Sequence, residues 1–117
     1  EVWGNGSAIR DFIFSKDVAY SMMKLMKIAP KGPVNIGSGK GFKIREVVNI
    51  INQYFKNKFY IRWDTSKPSG DKIRILDIKS LKSLSGKPKT SLKSGITQTI
   101  EWYLRNKNKQ NRFNIFK

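Results

Sequence analysis

Trp3-Gly4-Asn5-Gly6-Ser7-Ala8-Ile9-Arg10-Asp11-Phe12-Ile13-Phe14 is a glycine-spaced turn that runs into a short apolar segment and carries Arg10 and Asp11 onto it. Glycine supplies the backbone freedom that such a turn needs, and a loop of this kind can hold a charged group against a ligand. Ser15 follows as the expected cap of the first helix. The rest of the chain reads as support for this corner.

Working outward, helical spacing of Val18, Met22, Leu25 and Met26 predicts a helix of about fifteen residues from Ser15, with Asp17 near the positive end of its dipole and Pro30 as its stop. Val34-Asn35-Ile36-Gly37 reads as a short buried strand, and Gly37-Ser38-Gly39-Lys40-Gly41 as the glycine loop that ends it. That loop invites a phosphate-cradle reading. It lacks the full Gly-x-x-x-x-Gly-Lys-(Ser/Thr) spacing, and a structural turn is the expectation.

The strongest period runs from Lys43 to Asn57, where Ile44, Val47, Val48, Ile51, Tyr54 and Phe55 form one apolar stripe. Its start is odd, because Lys43 stands at the cap position and cannot accept a backbone hydrogen bond; this end should fray or be capped from elsewhere. Phe59-Tyr60-Ile61-Arg62-Trp63 alternates as a half-buried strand with Phe59, Ile61 and Trp63 on one face. Ile73-Arg74-Ile75-Leu76 is short and apolar apart from Arg74. Asp77 can then cap a brief helix through Ile78, Leu81 and Leu84, which Gly86-Lys87-Pro88 breaks. Thr90 or Ser91 caps a last helix with Leu92, Ile96, Ile100, Tyr103 and Leu104 on its face, where Gly95 would admit a neighbouring backbone. The expected division is a lobe over 1–106 and a basic, loosely held tail over 107–117.

At 117 residues the chain is one domain, small for a complete two-lobed enzyme, and it opens on Glu1-Val2-Trp3 without an initiator Met; a piece of something longer is expected. Lys and Arg total 24 against 8 acidic residues, a formal charge of +16, so polyanions, acidic membranes and phosphorylated small molecules are all candidates. The charge is spread along the chain, not gathered into a stripe. With no Cys, disulfides and thiolate metal sites are excluded, and with no His the usual zinc ligand and general base are gone. Asp11, Asp17 and Asp77 all have capping or pairing roles open to them, so no carboxylate pair for acid–base chemistry can be argued. No apolar run approaches the roughly 20 residues that span a bilayer, and no signal-peptide pattern opens the chain, so a soluble cytoplasmic protein without a membrane partner is the default.

Three residues stand between a functional and a bland reading on chemistry alone. Arg10 is either a phosphate clamp, through the planar fork of its guanidinium, or blandly an ion-pair partner of Asp11 or a solvated surface residue. Trp3 either stacks on a base or sugar or packs at a rim. Arg74 either reaches a ligand or points out of a sheet edge.

The opening corner resembles the Trp-Gly-x-Gly-x-x-x-Arg-(Asp/Glu)-Phe segment that opens the last third of nucleotide-sugar epimerases and reductases of the extended short-chain dehydrogenase/reductase family, the NAD-dependent epimerase/dehydratases. Further segments follow in the family's order: Lys16-Asp17-Val18-Ala19, Val34-Asn35-Ile36-Gly37-Ser38-Gly39, Ile44-Arg45-Glu46, Lys67-Pro68-Ser69-Gly70, Leu76-Asp77, and Ser91-Leu92 through Gly95-Ile96 to Trp102. Together they cover about nine-tenths of the chain.

The resemblance implies an α/β fold: a small C-terminal nucleotide-sugar-binding lobe of a few short strands and three main helices, detached from its Rossmann domain. NAD or NADP would be bound by that missing N-terminal domain, which also carries the family's Ser/Thr, Tyr and Lys set; this chain has no Gly-x-x-Gly-x-x-Gly fingerprint. The implied partners are a nucleotide-sugar substrate, a GDP-sugar among the candidates, and the parent Rossmann domain; a homodimer through helices of that domain is admitted. Trp3 and Arg10 match substrate-contacting positions, and Arg74 falls where a substrate-contacting Lys occurs. Ser69 replaces the Asp of a Lys-Pro-Asp-Gly loop that helps recognise the nucleotide, and Phe14 replaces a common His. A hydroxyl cannot accept from both guanine N–H groups as a carboxylate does, so Ser69 puts guanine specificity in question. The rival readings are a stand-alone basic nucleic-acid module, which lacks a recognised binding motif, and an interaction domain that kept the fold without the ligand.

Overall fold

The computed structural model describes residues 1–107; most of the expected tail, 108–117, lies outside the described residues. The fold is mixed α/β, with four helices and five very short strands. Strand β1 (Val2–Trp3) pairs in parallel with β4 (Trp63–Asp64). Strand β2 (Ile9–Asp11) is the centre of a three-stranded sheet, antiparallel to β3 (Gly41–Lys43) on one side and parallel to β5 (Ile73–Arg74) on the other. The glycine corner between β1 and β2 therefore links the two small sheets.

That corner turns where φ is positive at Gly4 (+77°) and Gly6 (+73°), with Asn5 Oδ1 accepting from Ser7 N–H at 2.9 Å to close it. Neither glycine has room for a side chain: a Cβ on Gly4 would lie 2.5 Å from Ser69 Oγ, and one on Gly6 2.5 Å from the Trp63 ring.

Helix α1 (Ser15–Ile28) begins on its expected cap, one residue earlier than that reading implies. Ser15 is its first helical residue and Phe14, with no side-chain hydrogen bond to give, stands at the cap. Asp17 does more than meet the dipole. Its Oδ2 accepts from Thr90 N–H at 2.9 Å and so ties the start of α1 to the start of the last helix. The inward face is Val18, Ser21 and Leu25, not the expected stripe: Met22 and Met26 are exposed, Met26 by 79%. Ala29 ends the helix in the left-handed region, its N–H donating to Leu25 O.

Val34–Gly37 joins no ladder among the described residues, and Asn35 is exposed, so the buried strand read there is corrected. Val34 and Ile36 instead pack on the core cluster of Leu25, Ile78 and Leu81. Helix α2 (Ile44–Tyr54) is shorter than its pattern because Lys56 and Asn57 adopt left-handed φ, and Asn52 holds that turn by accepting from Phe59 N–H and donating to Phe59 O, both at 3.1 Å. This fixes Phe59 outside any strand. Of the alternating run only Trp63 enters a ladder, since β1 offers just two residues to pair with.

The missing cap of α2 is supplied from outside it. Glu46 Oε2 accepts from Lys43 N–H at 2.6 Å, half of a capping box, while Ile44 and Arg45 donate their N–H groups to Ala8 O and Gly6 O, both at 3.0 Å. The opening corner thus caps the helix that Lys43 cannot.

Helix α3 (Lys79–Ser85) starts with Asp77 Oδ1 accepting from Lys79 N–H at 2.9 Å, and it buries Leu81 completely. In helix α4 (Leu92–Asn106), Ser91 is the cap, its hydroxyl accepting from Ser94 N–H at 3.2 Å, and Gly95 is buried against Phe14. The neighbour it admits is thus a side chain. No helix among the described residues is long and apolar enough to cross a membrane.

Candidate functional site

The loop between β4 and β5 draws the sequence-picked residues into one neighbourhood. At its start Lys67 Nζ lies 5.8 Å from the centre of the Trp3 ring, and Trp3 is 63% exposed. Ser69 is seated against Gly4, and a Cβ on Gly70 would come within 3.1 Å of Arg10 Nη2. At the loop's end Arg10 Nη1 donates to Asp71 O at 2.6 Å, as well as to its own neighbour Ile9 O at 2.8 Å. Arg74 completes the group by register. It is the Cα partner of Arg10 in the parallel β2–β5 pair, and register partners on adjacent strands share a face of the sheet.

The bland reading of Arg10 does not hold in its proposed form. Alternation along β2 sends Asp11 to the opposite face, where its carboxylate is engaged by the glycine loop and not by Arg10. Among the described residues the ion pairs are Arg62 with Glu1 and Lys79 with Asp77; neither Arg10 nor Arg74 meets a carboxylate. Two arginines paired by register without a counter-charge among the described residues can receive a dianion, since each fork can pair with two oxygens.

The glycine loop offers no second anion site. Asp11 Oδ1 accepts from Ser38 N–H (2.8 Å) and Oδ2 from Gly39 N–H (2.9 Å), so the groups that would cradle a phosphate are already taken by an internal carboxylate. The structural-turn expectation is met for a reason invisible in the spacing. Filled in this way, the loop has no free N–H at Ser38 or Gly39 to offer a dinucleotide's phosphates either. No group of three or more metal-ligating side chains occurs among the described residues.

The cavities elsewhere are not part of this group. One of about 480 Å³ lies between the glycine loop and the start of α4, and one of about 390 Å³ lies between Phe12–Ser15 and α4. Trp3, Arg10, Ser69 and Arg74 line neither, and form an open surface instead. Sequence reasoning passed over two members of the neighbourhood. Lys67 and Gly70 enter the sequence reading only within the Lys67-Pro68-Ser69-Gly70 segment, yet Lys67 lies over the Trp3 ring and the missing side chain of Gly70 leaves the space for Arg10.

Comparison with known proteins places these observations. No family model matches the chain. The chain is 40% identical over 106 residues to a putative GDP-L-fucose synthase of Arabidopsis thaliana, a match that covers 90% of this chain and 32% of that protein. It is 35% identical to a GDP-L-fucose synthase of Sinorhizobium fredii, covering 90% of this chain and 34% of that protein. Among solved structures, an epimerase from Methanothermobacter thermautotrophicus superposes with a TM-score of 0.83 at 22% identity, over 96% of this chain and 34% of that one. A GDP-D-glycero-L-gluco-heptose synthase from Campylobacter jejuni, solved in the presence of NADPH, gives a TM-score of 0.73 at 28% identity over 88% of this chain and 32% of that one. The resemblance to the extended short-chain dehydrogenase/reductase family is borne out, and its members matched here are enzymes. The chain spans about a third of the length of the relatives it matches.

Proposed function

We propose that this chain is the C-terminal, substrate-holding part of a longer NAD(P)-dependent nucleotide-sugar epimerase or reductase, with a GDP-sugar as its first candidate substrate. Arg10 and Arg74 receive the diphosphate; Trp3 and Ser69 flank the nucleoside or the sugar. The observation that carries this reading is the Arg10–Arg74 register pair, Arg10 half-buried and Arg74 exposed, beside the loop that meets Trp3 and Gly4 and unmatched by a carboxylate among the described residues. The relatives' names supply the class of substrate.

The cofactor belongs to residues outside this chain. What these residues do is bind and orient: the two forks fix a diphosphate against β2 and β5, which holds the attached sugar at a set distance from whatever reacts with it. The exposed outer face of α1, with Met22, Met23 and Met26, supports a second body in the complete protein, because a helix apolar on both faces is ordinarily covered.

The test is titration of the 117-residue chain with GDP, inorganic pyrophosphate and guanosine, following the side-chain Nε–H resonances of Arg10 and Arg74. Both arginine signals should move with GDP and with pyrophosphate and stay in place with guanosine. Movement of neither with either anion would remove the diphosphate from this surface.

A further inference from the structure

Behind the two arginines lies a carboxylate with an uncommon number of duties. Asp11 Oδ1 accepts from the Ser38 N–H at 2.8 Å and the Ser38 hydroxyl at 2.5 Å, while Oδ2 accepts from the Gly39 N–H at 2.9 Å and, at 3.4 Å, from the Leu76 N–H. Three segments distant in sequence therefore meet on one side chain: β2 itself, the glycine loop, and the stretch that leaves β5 two residues after Arg74. The fit is close. A Cβ on Gly37 would lie 2.8 Å from Asp11 Oδ2, and Gly39 has φ +66°.

We propose that Asp11 is a positioning residue for the Arg10–Arg74 pair: from the opposite face of the sheet it fixes where β5 lies against β2, and hence the spacing of the two guanidinium groups. This rests on the diphosphate reading given above. Along β2 the side chains of Arg10 and Asp11 point to opposite faces, so Asp11 touches neither the ligand surface nor Arg10 itself. It acts through the Leu76 N–H on the register of β5, and through Ser38 and Gly39 on the loop leading to β3, the strand on the other flank of β2.

The sign of the expected effect separates this from plain electrostatics. Removing a negative charge near two arginines raises the local positive potential, so a bystander carboxylate, once deleted, should leave anion affinity unchanged or tighten it. A positioning carboxylate does the opposite. Its loss strands several N–H donors and lets β5 drift, and the affinity falls. Losing the equivalent of one net hydrogen bond's worth of order at the site corresponds to about tenfold.

The experiment uses Asp11→Ala and, as a variant that keeps the shape, Asp11→Asn, whose amide can accept from Ser38 but presents a donor to Gly39. Pyrophosphate affinity and the exchange rates of the backbone N–H groups of Ser38, Gly39, Leu76 and the β2–β5 ladder are measured for each, without and with added formate. Expected are about tenfold weaker pyrophosphate binding in Asp11→Ala, a smaller loss in Asp11→Asn, faster exchange at Leu76 and along the β2–β5 ladder in both, and recovery in Asp11→Ala when formate fills the vacated position. Should Asp11→Ala fail to fold, the Asp11→Asn comparison decides. Unchanged or tighter pyrophosphate binding with unchanged ladder exchange overturns the proposal. If the wild-type chain binds no pyrophosphate, the diphosphate reading fails by itself, and ladder exchange with its formate rescue still decides whether Asp11 sets the β2–β5 register.

Discussion

Arg10→Ala and Arg10→Lys test the site most sharply, because the structure gives Arg10 two separable jobs. Nη1 donates to Asp71 O at 2.6 Å and holds the end of the β4–β5 loop, while Nη2 lies free of protein partners among the described residues and beside Gly70. The structural job is a pair of charged-donor bonds from Nη1, to the exposed Asp71 O and to Ile9 O next to it, so their loss should cost about 1 kcal/mol, at the low end of the range because water competes there. For a domain of this size that is a fall in Tm of about 4–8 °C. The ligand job involves a fork pairing with two oxygens, at about 1.5–3 kcal/mol for each charge-assisted bond, so Arg10→Ala should weaken GDP binding by one to two orders of magnitude. Arg10→Lys keeps the charge, loses the fork, and should fall between. The assay is calorimetric or NMR titration with GDP beside a melting curve for each variant, and kcat/KM for the nucleotide sugar once the parent enzyme is in hand. A normal Kd in Arg10→Ala with the small Tm loss intact would leave Arg10 as a loop anchor alone and refute its place in the site.

Leu81→Ala removes the one large side chain that is fully buried among the described residues, from a cluster shared with Leu25 and Ile78; it should cost about 2–5 kcal/mol and, with so thin a core, leave the chain largely unfolded near 37 °C by circular dichroism. Lys43→Thr should complete the capping box whose Glu46 half already exists and raise stability by about 0.5–1 kcal/mol, read as a higher denaturant midpoint at an unchanged m-value.

What the sequence disclosed was local or ordered. The turn at Gly4 and Gly6, the caps at Asp77 and Ser91, and the start of the α2 stripe all follow from residue chemistry within a few positions, and each is present. Strands were less legible. Val34–Gly37 has the composition of one, yet pairing needs a partner, and none is found among the described residues. Phe59–Trp63 failed for a different reason: the Asn52 amide takes both backbone groups of Phe59, a competition that alternation cannot reveal. At the site, Arg10 and Arg74 were each picked singly, but their adjacency is a fact of register between residues far apart in the chain. The filled glycine loop was hidden likewise, since nothing near Gly37–Gly41 in sequence says that Asp11 will reach it.

The parallel pairings have a consequence for the order of folding. Val2 meets Trp63, and Arg10 meets Arg74, so each small ladder joins segments some sixty residues apart. Closing a flexible loop of about that length costs roughly 3–4 kcal/mol of chain entropy before the first ladder bond returns anything, and two-residue strands return little. Helices α1, α2 and α4 need no such closure. The arginine pair should therefore assemble last, on helices already formed, with low φ-values at β1, β4 and β5 and higher ones within α2 and α4. On the ribosome the same topology imposes a delay: Arg10 emerges early but has no partner until Arg74 has left the tunnel, and for that interval the corner's polar groups are served by water.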